Sequence, residues 1–507
     1  MNTDDLSALI RSRVPLIAIE SDDEAEAVQA ILRASGHAAA PAAPGAILAP
    51  GRSAGALPVF KWTVTDGLKR LDVQLAAPQR AVSGPEEALK YIRASNVPGT
   101  YVLFDLHPYL TDPLIVRLLK DIAQEYRSCA RTLILVSNEL TLPRELESLS
   151  ARGALALPGR EERREIVEGI AQEWLRAHPG EPVKADRRAL DMLIENLNGL
   201  SAAETQKVAR QAIFAHGTIR TSDIPAAIEA KYQLLNRHGV LRYEPTTQGM
   251  TDVGGYDRFK DWLRKRGVAF DGSAPELDAP RGVLLLGVQG CGKSLAARAS
   301  AGIFNVPLLS LDCAALYDKY IGESERNLRE SLASADLMAP CVLWVDEIEK
   351  GFASGDADGG AARRVLGGLL TWLAEKRTRV FVVATANDIE DLPPELIRKG
   401  RFDEIFFVDL PQLAARREIL QIHAQKRNIP LDPASLDALA QLSEGFSGAE
   451  IEQAIVAALY TAHAQRVTPD ARMIRAELSA TRPLAVVLAV RVAARRSWAQ
   501  ERTVPAQ

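Results

Sequence analysis

Gly287-Val288-Gln289-Gly290-Cys291-Gly292-Lys293-Ser294 follows the apolar run Val283-Leu284-Leu285-Leu286 and leads into the helix-forming segment Leu295-Ala296-Ala297-Arg298-Ala299. The stretch satisfies G-x-x-x-x-G-K-[ST] in the strand–loop–helix setting that gives this pattern its meaning. Glycines let the backbone turn tightly and aim successive N–H groups inward at phosphate oxygens. The helix that follows offers its positive N-terminal end to the same anion. Lys293 supplies the charge that reaches β- and γ-phosphates, and the Ser294 hydroxyl is a hard oxygen ligand for Mg²⁺.

Some fifty residues on, Val342-Leu343-Trp344-Val345 reads as a buried strand ending in Asp346-Glu347. Open α/β sheets bind ligands at the C-terminal ends of their strands, which is where this acidic pair falls. Asp346 is expected in the Mg²⁺ shell, and Glu347 as the general base for an attacking water. Alone, a strand followed by Asp-Glu is common; after a phosphate loop it points to nucleotide hydrolysis.

With these two motifs in place, the segment from about Asp252 to Ser447 resembles an AAA-type ATPase module. Asp252-Val253-Gly254-Gly255 matches the family's adenine-side motif, and Phe381-Val382-Val383-Ala384-Thr385-Ala386-Asn387 matches its first sensor strand. By that resemblance Asn387 orients water near the γ-phosphate. Arg398-Lys399-Gly400-Arg401-Phe402-Asp403 matches the two-arginine element, which implies that Arg398 and Arg401 reach the nucleotide of a neighbouring subunit. His423 falls where the family places a ribose or adenine contact. Gly445-Phe446-Ser447-Gly448-Ala449-Glu450 matches the lid helix, with Ala449 where other branches carry a sensor arginine. The resemblance thus implies an ATP cleft lined by Val253, Gly254, Gly287, Gln289, Gly290, Cys291, Gly292, Lys293, Ser294, Leu295, His423, Gly448 and Ala449.

The chain has 507 residues, 47% hydrophobic and 25% charged, which is an ordinary globular balance over several domains. A net charge of −4 gives no sign of a nucleic-acid or membrane binder. The acidic start Met1-Asn2-Thr3-Asp4-Asp5 opens no signal peptide, and the best apolar run, Leu484 to Val490, is far short of a membrane span. Four cysteines make no disulfide framework, so a cytosolic compartment is expected. Cys291 reads as a small, reduced, semi-apolar residue rather than a redox sensor.

An internal repeat organises the rest. Leu157-Pro158-Gly159-Arg160-Glu161-Glu162-Arg163-Arg164-Glu165-Ile166 reads like Leu410-Pro411-Gln412-Leu413-Ala414-Ala415-Arg416-Arg417-Glu418-Ile419. Gly199-Leu200-Ser201-Ala202-Ala203-Glu204 parallels Gly445 to Glu450, and Thr132 to Asn138 parallels the strand ending at Asn387. The expected fold is α/β, with two tandem P-loop-NTPase-like modules, each a parallel sheet flanked by helices with a small helical lid.

The first module is expected to be degenerate. Leu16-Ile17-Ala18-Ile19 runs into Glu20-Ser21-Asp22-Asp23-Glu24, whose carboxylates at a helix start satisfy the dipole and repel phosphate. Tyr101-Val102-Leu103-Phe104-Asp105-Leu106 keeps an aspartate but reads as having Leu106 in the place of the base. No Arg-x-Gly-Arg follows Leu146. The expected layout is a degenerate core at 1–157, its lid at 158–238, a linker at 239–250, an AAA core at 251–410, and a lid with C-terminal helices at 411–507. Pro41 to Pro58 reads as a flexible surface insertion. This plan, with Thr371-Trp372-Leu373-Ala374-Glu375-Lys376 and the C-terminal tail, resembles the AAA subgroup named for hypothetical chloroplast reading frame forty-six.

In the resembled family, the loop Tyr317 to Glu325 faces a hexamer pore, which puts Lys319, Tyr320 and Ile321 at a tip that grips a polypeptide. Tyrosine, apolar on its face and polar at its edge, suits sequence-tolerant grip. The flexible loop Gly351 to Gly360, ahead of Arg363-Arg364, fits a solvated loop as well as a substrate contact. The expected protein is a homo-oligomeric ring that uses ATP and Mg²⁺ to remodel a protein partner. A non-processive, ATP-timed regulatory switch acting through the first module is the competing reading. A nucleic-acid motor is the poorest, because Lys260, Arg264, Lys265 and Arg266 form only a small basic cluster.

Overall fold

The computed structural model describes the chain except residues 22, 38–56, 72–81, 139, 237–239, 246–248, 250–251, 275, 314–315, 317–322, 352–358, 389–391 and 399. Lys319, Tyr320 and Ile321, expected at a pore tip, and most of the expected insertion at 41–58 lie outside the described residues. Two compact units are formed, one by Met1–Ile170 with Leu200–Lys207 and one by Ala171–Gly199 with Val208–Gln507.

The first unit is built on β1 (Leu16–Glu20), β2 (Val59–Thr63), β3 (Gly67–Arg70), β4 (Gly99–Phe104), β5 (Arg131–Ser137) and β6 (Ser150–Ala154). Their order is β3-β2-β4-β5-β1-β6, all parallel except β3, which runs antiparallel to β2. Apolar residues are near-continuous along the central strands because a parallel sheet is buried on both faces. Alternate residues serve different cores. Leu16, Ala18, Tyr101, Leu103, Leu133 and Leu135 face one cluster, while Ile17, Ile19, Val102, Phe104, Ile134 and Val136 face the other. The helix Pro113–Gln124 contributes Ile115, Leu118, Leu119 and Ile122 to the first cluster, and the helix Glu24–Ala34 contributes Ala27 and Ile31 to the second.

A short parallel pair, β7 (Lys184–Ala185) with β8 (Thr218–Ile219), occurs among helices of the middle segment. The second unit's main sheet comprises β9 (Leu241–Glu244), β10 (Gly282–Gly287), β11 (Leu308–Asp312), β12 (Cys341–Asp346), β13 (Val380–Ala386), β14 (Glu404–Val408) and β15 (Val504–Pro505). The order is β15-β14-β10-β13-β12-β11-β9, with only β9 antiparallel. Its five parallel strands β11-β12-β13-β10-β14 follow the order β2-β4-β5-β1-β6 of the first sheet, and each sheet has one antiparallel edge strand, although β3 follows β2 in a hairpin and β9 precedes β10 in the chain. The repeat expected from three sequence fragments is therefore a repeat of architecture. β15 comes from the C-terminal tail, and fully buried Ala506 accepts the Phe259 N–H at 3.2 Å, so the tail belongs to this core.

Helices Leu413–Lys426, Pro433–Leu442, Gly448–Gln465 and Ala471–Ala480 enclose a separate apolar cluster that includes Leu420, Leu439, Ile451, Ile455 and Leu478. This is the lid of the second unit. Among the described residues, no helix is long and apolar enough to cross a membrane.

Candidate functional site

The loop after β10 turns through Val288 to Gly292 before the helix Lys293–Phe304 begins. Gly290 and Gly292 have φ of 76° and 91°, which side-chain-bearing residues rarely adopt. Gly287 is required for a different reason: a Cβ there would stand 2.0 Å from the Val408 carbonyl of β14. Lys293 is buried, and its Nζ donates to the carbonyls of Gly287 and Val288 at 3.0 and 2.9 Å. Burial pushes its pKa down to about 8.

Beside this loop runs a chain of side-chain hydrogen bonds. Ser294 Oγ donates to Asp346 Oδ1 at 3.3 Å, and Thr385 Oγ1 donates to the same oxygen at 2.6 Å. Thr385 also accepts the Glu347 N–H at 3.0 Å. Asn387 Nδ2 donates to Glu347 Oε1 at 2.7 Å, and Glu347 Oε2 pairs with Lys350. Glu347 sits at φ 47°, just past the end of β12, so the backbone turns its carboxylate away from the strand direction. Buried Glu349 accepts the Asn387 N–H at 2.8 Å and fixes that residue's backbone; burial raises its pKa.

The lid and the loop before the sheet close the other side. Gly255 donates its N–H to Glu418 Oε2 at 2.8 Å, and a Cβ on Gly254 would lie 2.9 Å from Ile419. Two glycines are needed because the helix Leu413–Lys426 passes directly over them. On that helix, His423 lies near Arg427 and Glu452, and burial lowers its pKa. The helix Gly448–Gln465, capped by Ser447 and Glu450, donates the Ala449 N–H to the Gly290 carbonyl at 3.0 Å.

A cleft of about 690 Å³ results, with walls that include Val253, Gly254, Gln289 to Leu295, Asp346, Glu347, Asn387, His423, Gly448 and Ala449. Gly287 meets the site through the carbonyl that holds Lys293. Tyr256 and Thr385 also line it, although the motif reading named neither as a site residue. Two oxygens of different elements already in contact, on Ser294 and Asp346, suit a small hard cation that takes its other ligands from phosphate and water. Cys291 is buried and its thiol is pushed up to about 12, which keeps it protonated and unreactive.

Arg398 and Arg401 are elsewhere. Arg401 donates to the Leu370 carbonyl, and Arg398 borders a separate concavity with Arg281, Lys376, Asp403 and Arg502. Asp403 Oδ2 accepts the N–H groups of Arg281 and Gly282 at 2.7 and 2.9 Å, pinning the two-arginine segment to the start of β10. Neither arginine lines the cleft of its own chain.

The first unit shows how such a site is lost. Only residues 21–23 separate β1 from the helix Glu24–Ala34, against Val288 to Gly292 in the second unit. Asp23 caps that helix by accepting the Glu26 N–H at 2.9 Å. Asp23 Oδ2 and Glu26 Oε2 also lie 3.4 and 3.3 Å from the N–H groups of Ala203 and Ala202. In the second unit, the corresponding lid helix is held by a backbone carbonyl.

Strand register corrects one expectation. β4 pairs Phe104 with Val136, and Asp105 follows at φ 50°, matching Glu347 at φ 47° rather than Asp346. Buried Phe104 therefore stands where the Mg²⁺ ligand would be, and exposed Asp105 where the base would be. Leu106 is the counterpart of Ile348, both buried. Between the helix Arg144–Glu147 and β6 lie two residues, Ser148 and Leu149; in the second unit, Arg398 to Asp403 fill the corresponding connection from the helix Pro394–Ile397 to β14.

Models of three families match: the ATPase family associated with various cellular activities (AAA) at residues 283–410, and the N-terminal and second domains of SpoVK-like AAA ATPases at 2–152 and 161–238. An AAA domain-containing protein ycf46 of Trieres chinensis is 36% identical over 470 residues, 91% of this chain and 89% of that protein. The chain belongs to the ycf46 family of AAA proteins. A proteasome-activating nucleotidase of Aeropyrum pernix is 40% identical to this chain over 193 residues, 37% of this chain and 47% of the nucleotidase. A crystal structure of the FIGL-1 AAA domain aligns over 54% of this chain and 95% of its own, with TM-score 0.47 and 21% identity.

Proposed function

We propose that this ycf46-family chain hydrolyses Mg-ATP in its second module and, as a homo-oligomeric ring of six subunits by family expectation, couples hydrolysis to remodelling or partial threading of a protein partner. The observation that carries the reading is the connected set Ser294–Asp346–Thr385–Glu347–Asn387 beside a lysine-bearing phosphate loop. Mg²⁺, held by Ser294 and Asp346, would supply neutralising charge to the β- and γ-phosphates. Lys293 would leave its two backbone carbonyls for phosphate oxygens, and its pKa would rise as the anion approaches. Glu347 would take a proton from the attacking water, with Asn387 holding the carboxylate and placing the water. Val253, Gly254 and His423 would border the base and ribose.

Arg398 and Arg401 would serve a neighbouring subunit's nucleotide, which their absence from their own cleft supports. Heterologous contacts that close make a ring. The proposed layout keeps 1–157 as a degenerate core, 158–238 as its lid, 239–250 as linker, 251–410 as the active core and 411–507 as lid and C-terminal helices. Lys319, Tyr320 and Ile321 would grip the partner, in keeping with the similarity to a proteasome-activating nucleotidase. A nucleic-acid partner is disfavoured: Lys260 donates to the Val253 carbonyl, Lys265 pairs with Asp261, and Arg266 stacks on Trp262. Four free cysteines, three of them buried, support a reducing, cytoplasmic setting.

A second reading, an ATP-timed switch acting through the first module, draws on that module's carboxylate-closed loop. An unfolded fluorescent protein offered with ATP separates the two: ATP-dependent change in the partner supports remodelling, and its absence with normal hydrolysis supports the switch. The ATPase reading itself is tested by two variants. Lys293→Ala is expected to abolish tight ATP binding, whereas Glu347→Gln binds ATP and hydrolyses it slower by about 10²–10⁴. Equal loss of binding in both contradicts the assigned roles.

A further inference from the structure

Tyr256 immediately follows the glycine pair over which the lid passes, at the start of the helix Asp257–Phe270. It is 4% exposed, at φ 65°, and its ring packs against Phe259. Its hydroxyl donates to the carbonyl of Cys291, in the phosphate loop, at 2.8 Å. Burial raises the phenol's pKa well above its ordinary value, so the donor is present at any physiological pH.

That bond fixes a direction. In a trans peptide, the carbonyl and the N–H of one unit point to opposite sides. Holding the Cys291 carbonyl on the Tyr256 side therefore turns the Gly292 N–H to the opposite side of that peptide. The neighbouring carbonyls are held in like manner: those of Gly287 and Val288 meet Lys293 Nζ, and that of Gly290 meets the Ala449 N–H. The Cys291 carbonyl is held by a side chain from a different element, at the start of the helix Asp257–Phe270. Gly292, at φ 91°, has the conformational freedom to let this peptide flip if the restraint is lost. A flipped peptide would point a carbonyl at the phosphate.

We propose that Tyr256 is a positioning residue for nucleotide phosphate: its hydroxyl holds the Cys291–Gly292 peptide with the N–H facing the anion. The inference rests on the ATP reading above. It concerns the phosphate end of the ligand, while the same residue's backbone neighbours Val253 and Gly254 border the base end. The two ends can therefore be tested separately.

Tyr256→Phe removes the hydroxyl and keeps the ring. Dissociation constants for ATP and ADP, and the inhibition constant of adenosine against a fluorescent nucleotide, are to be measured on the full chain. The expected result is a rise of about tenfold for both ATP and ADP, the factor carried by one hydrogen bond. Adenosine, which lacks phosphate, is expected to stay within about twofold, which also reports that the variant is folded. Unchanged ATP and ADP constants in a wild type that binds ATP overturn the Tyr256 role alone. Equal weakening of all three ligands makes Tyr256 a general packing residue and overturns it too. A wild type that binds no ATP overturns both this inference and the reading it rests on.

Discussion

Two sheets share the order of five parallel strands, and they differ most in short segments at the strand ends. After β10, five residues turn before the helix, with the Val288 N–H held by the Val408 carbonyl; after β1, three residues intervene and the Asp23 side chain accepts the Glu26 amide of the helix that follows. At the end of the fourth strand, Phe104 replaces Asp346, and on the next strand Val136 replaces Thr385, so an apolar core side chain ends where a hydrogen-bonded acidic cluster would begin. Before the last shared strand, two residues stand in place of a six-residue arginine segment. The strands carry the fold, and the strand ends carry the chemistry. A module can therefore lose its site and keep its core.

The sharpest break in the comparison should come from the segment that the first module lacks. Arg401→Ala is expected to leave ATP affinity in its own chain largely intact while lowering turnover by about 10³–10⁵. Mixing Arg401→Ala chains with Glu347→Gln chains should restore activity, since mixed rings contain interfaces where an intact Glu347 meets an intact Arg401. No rescue at any ratio, with subunit exchange demonstrated, contradicts sharing of the site.

A smaller effect is expected from making the second module resemble the first at one position. Thr385→Val removes the hydroxyl that holds both Asp346 and the Glu347 backbone, and should cut turnover on the order of 10–100-fold while raising the Mg²⁺ requirement. Wild-type values for both would remove Thr385 from the account.

Much of this was legible in the sequence, because the phosphate loop and the acidic pair are local patterns whose spacing is fixed by a strand, a turn and a helix. Thr385 and Tyr256 were not singled out, since the contacts that give them roles are made 38 and 35 residues away in the chain. Register was the other failure. Reading Asp105 as the counterpart of Asp346 assumed that the two strands end alike, and a slip of one residue changes which face each side chain meets. The sealing of the first module was visible as a run of carboxylates, but its acceptance of the Ala202 and Ala203 amides depends on tertiary structure.

The pH dependence of ATP affinity gives a milder test. Lys293 has a pKa lowered to about 8 by burial, and the charged form is the one expected to bind phosphate under the proposed function. Affinity should be flat on this account below about pH 8 and fall as pH rises through that value in the ligand-free protein. A plateau extending to pH 10 contradicts so deep a burial. The smallest effect belongs to the first module: Asp23→Ala removes a helix cap and should lower its stability by about 1–2 kcal/mol without creating a nucleotide site.

The central claim, one working nucleotide site per chain, is tested most directly by calorimetric titration of the Glu347→Gln chain with Mg-ATP. The account predicts one ATP per chain, falling to none when Lys293→Ala is added. Two per chain, or one that survives Lys293→Ala, would place a nucleotide in the first module and contradict it.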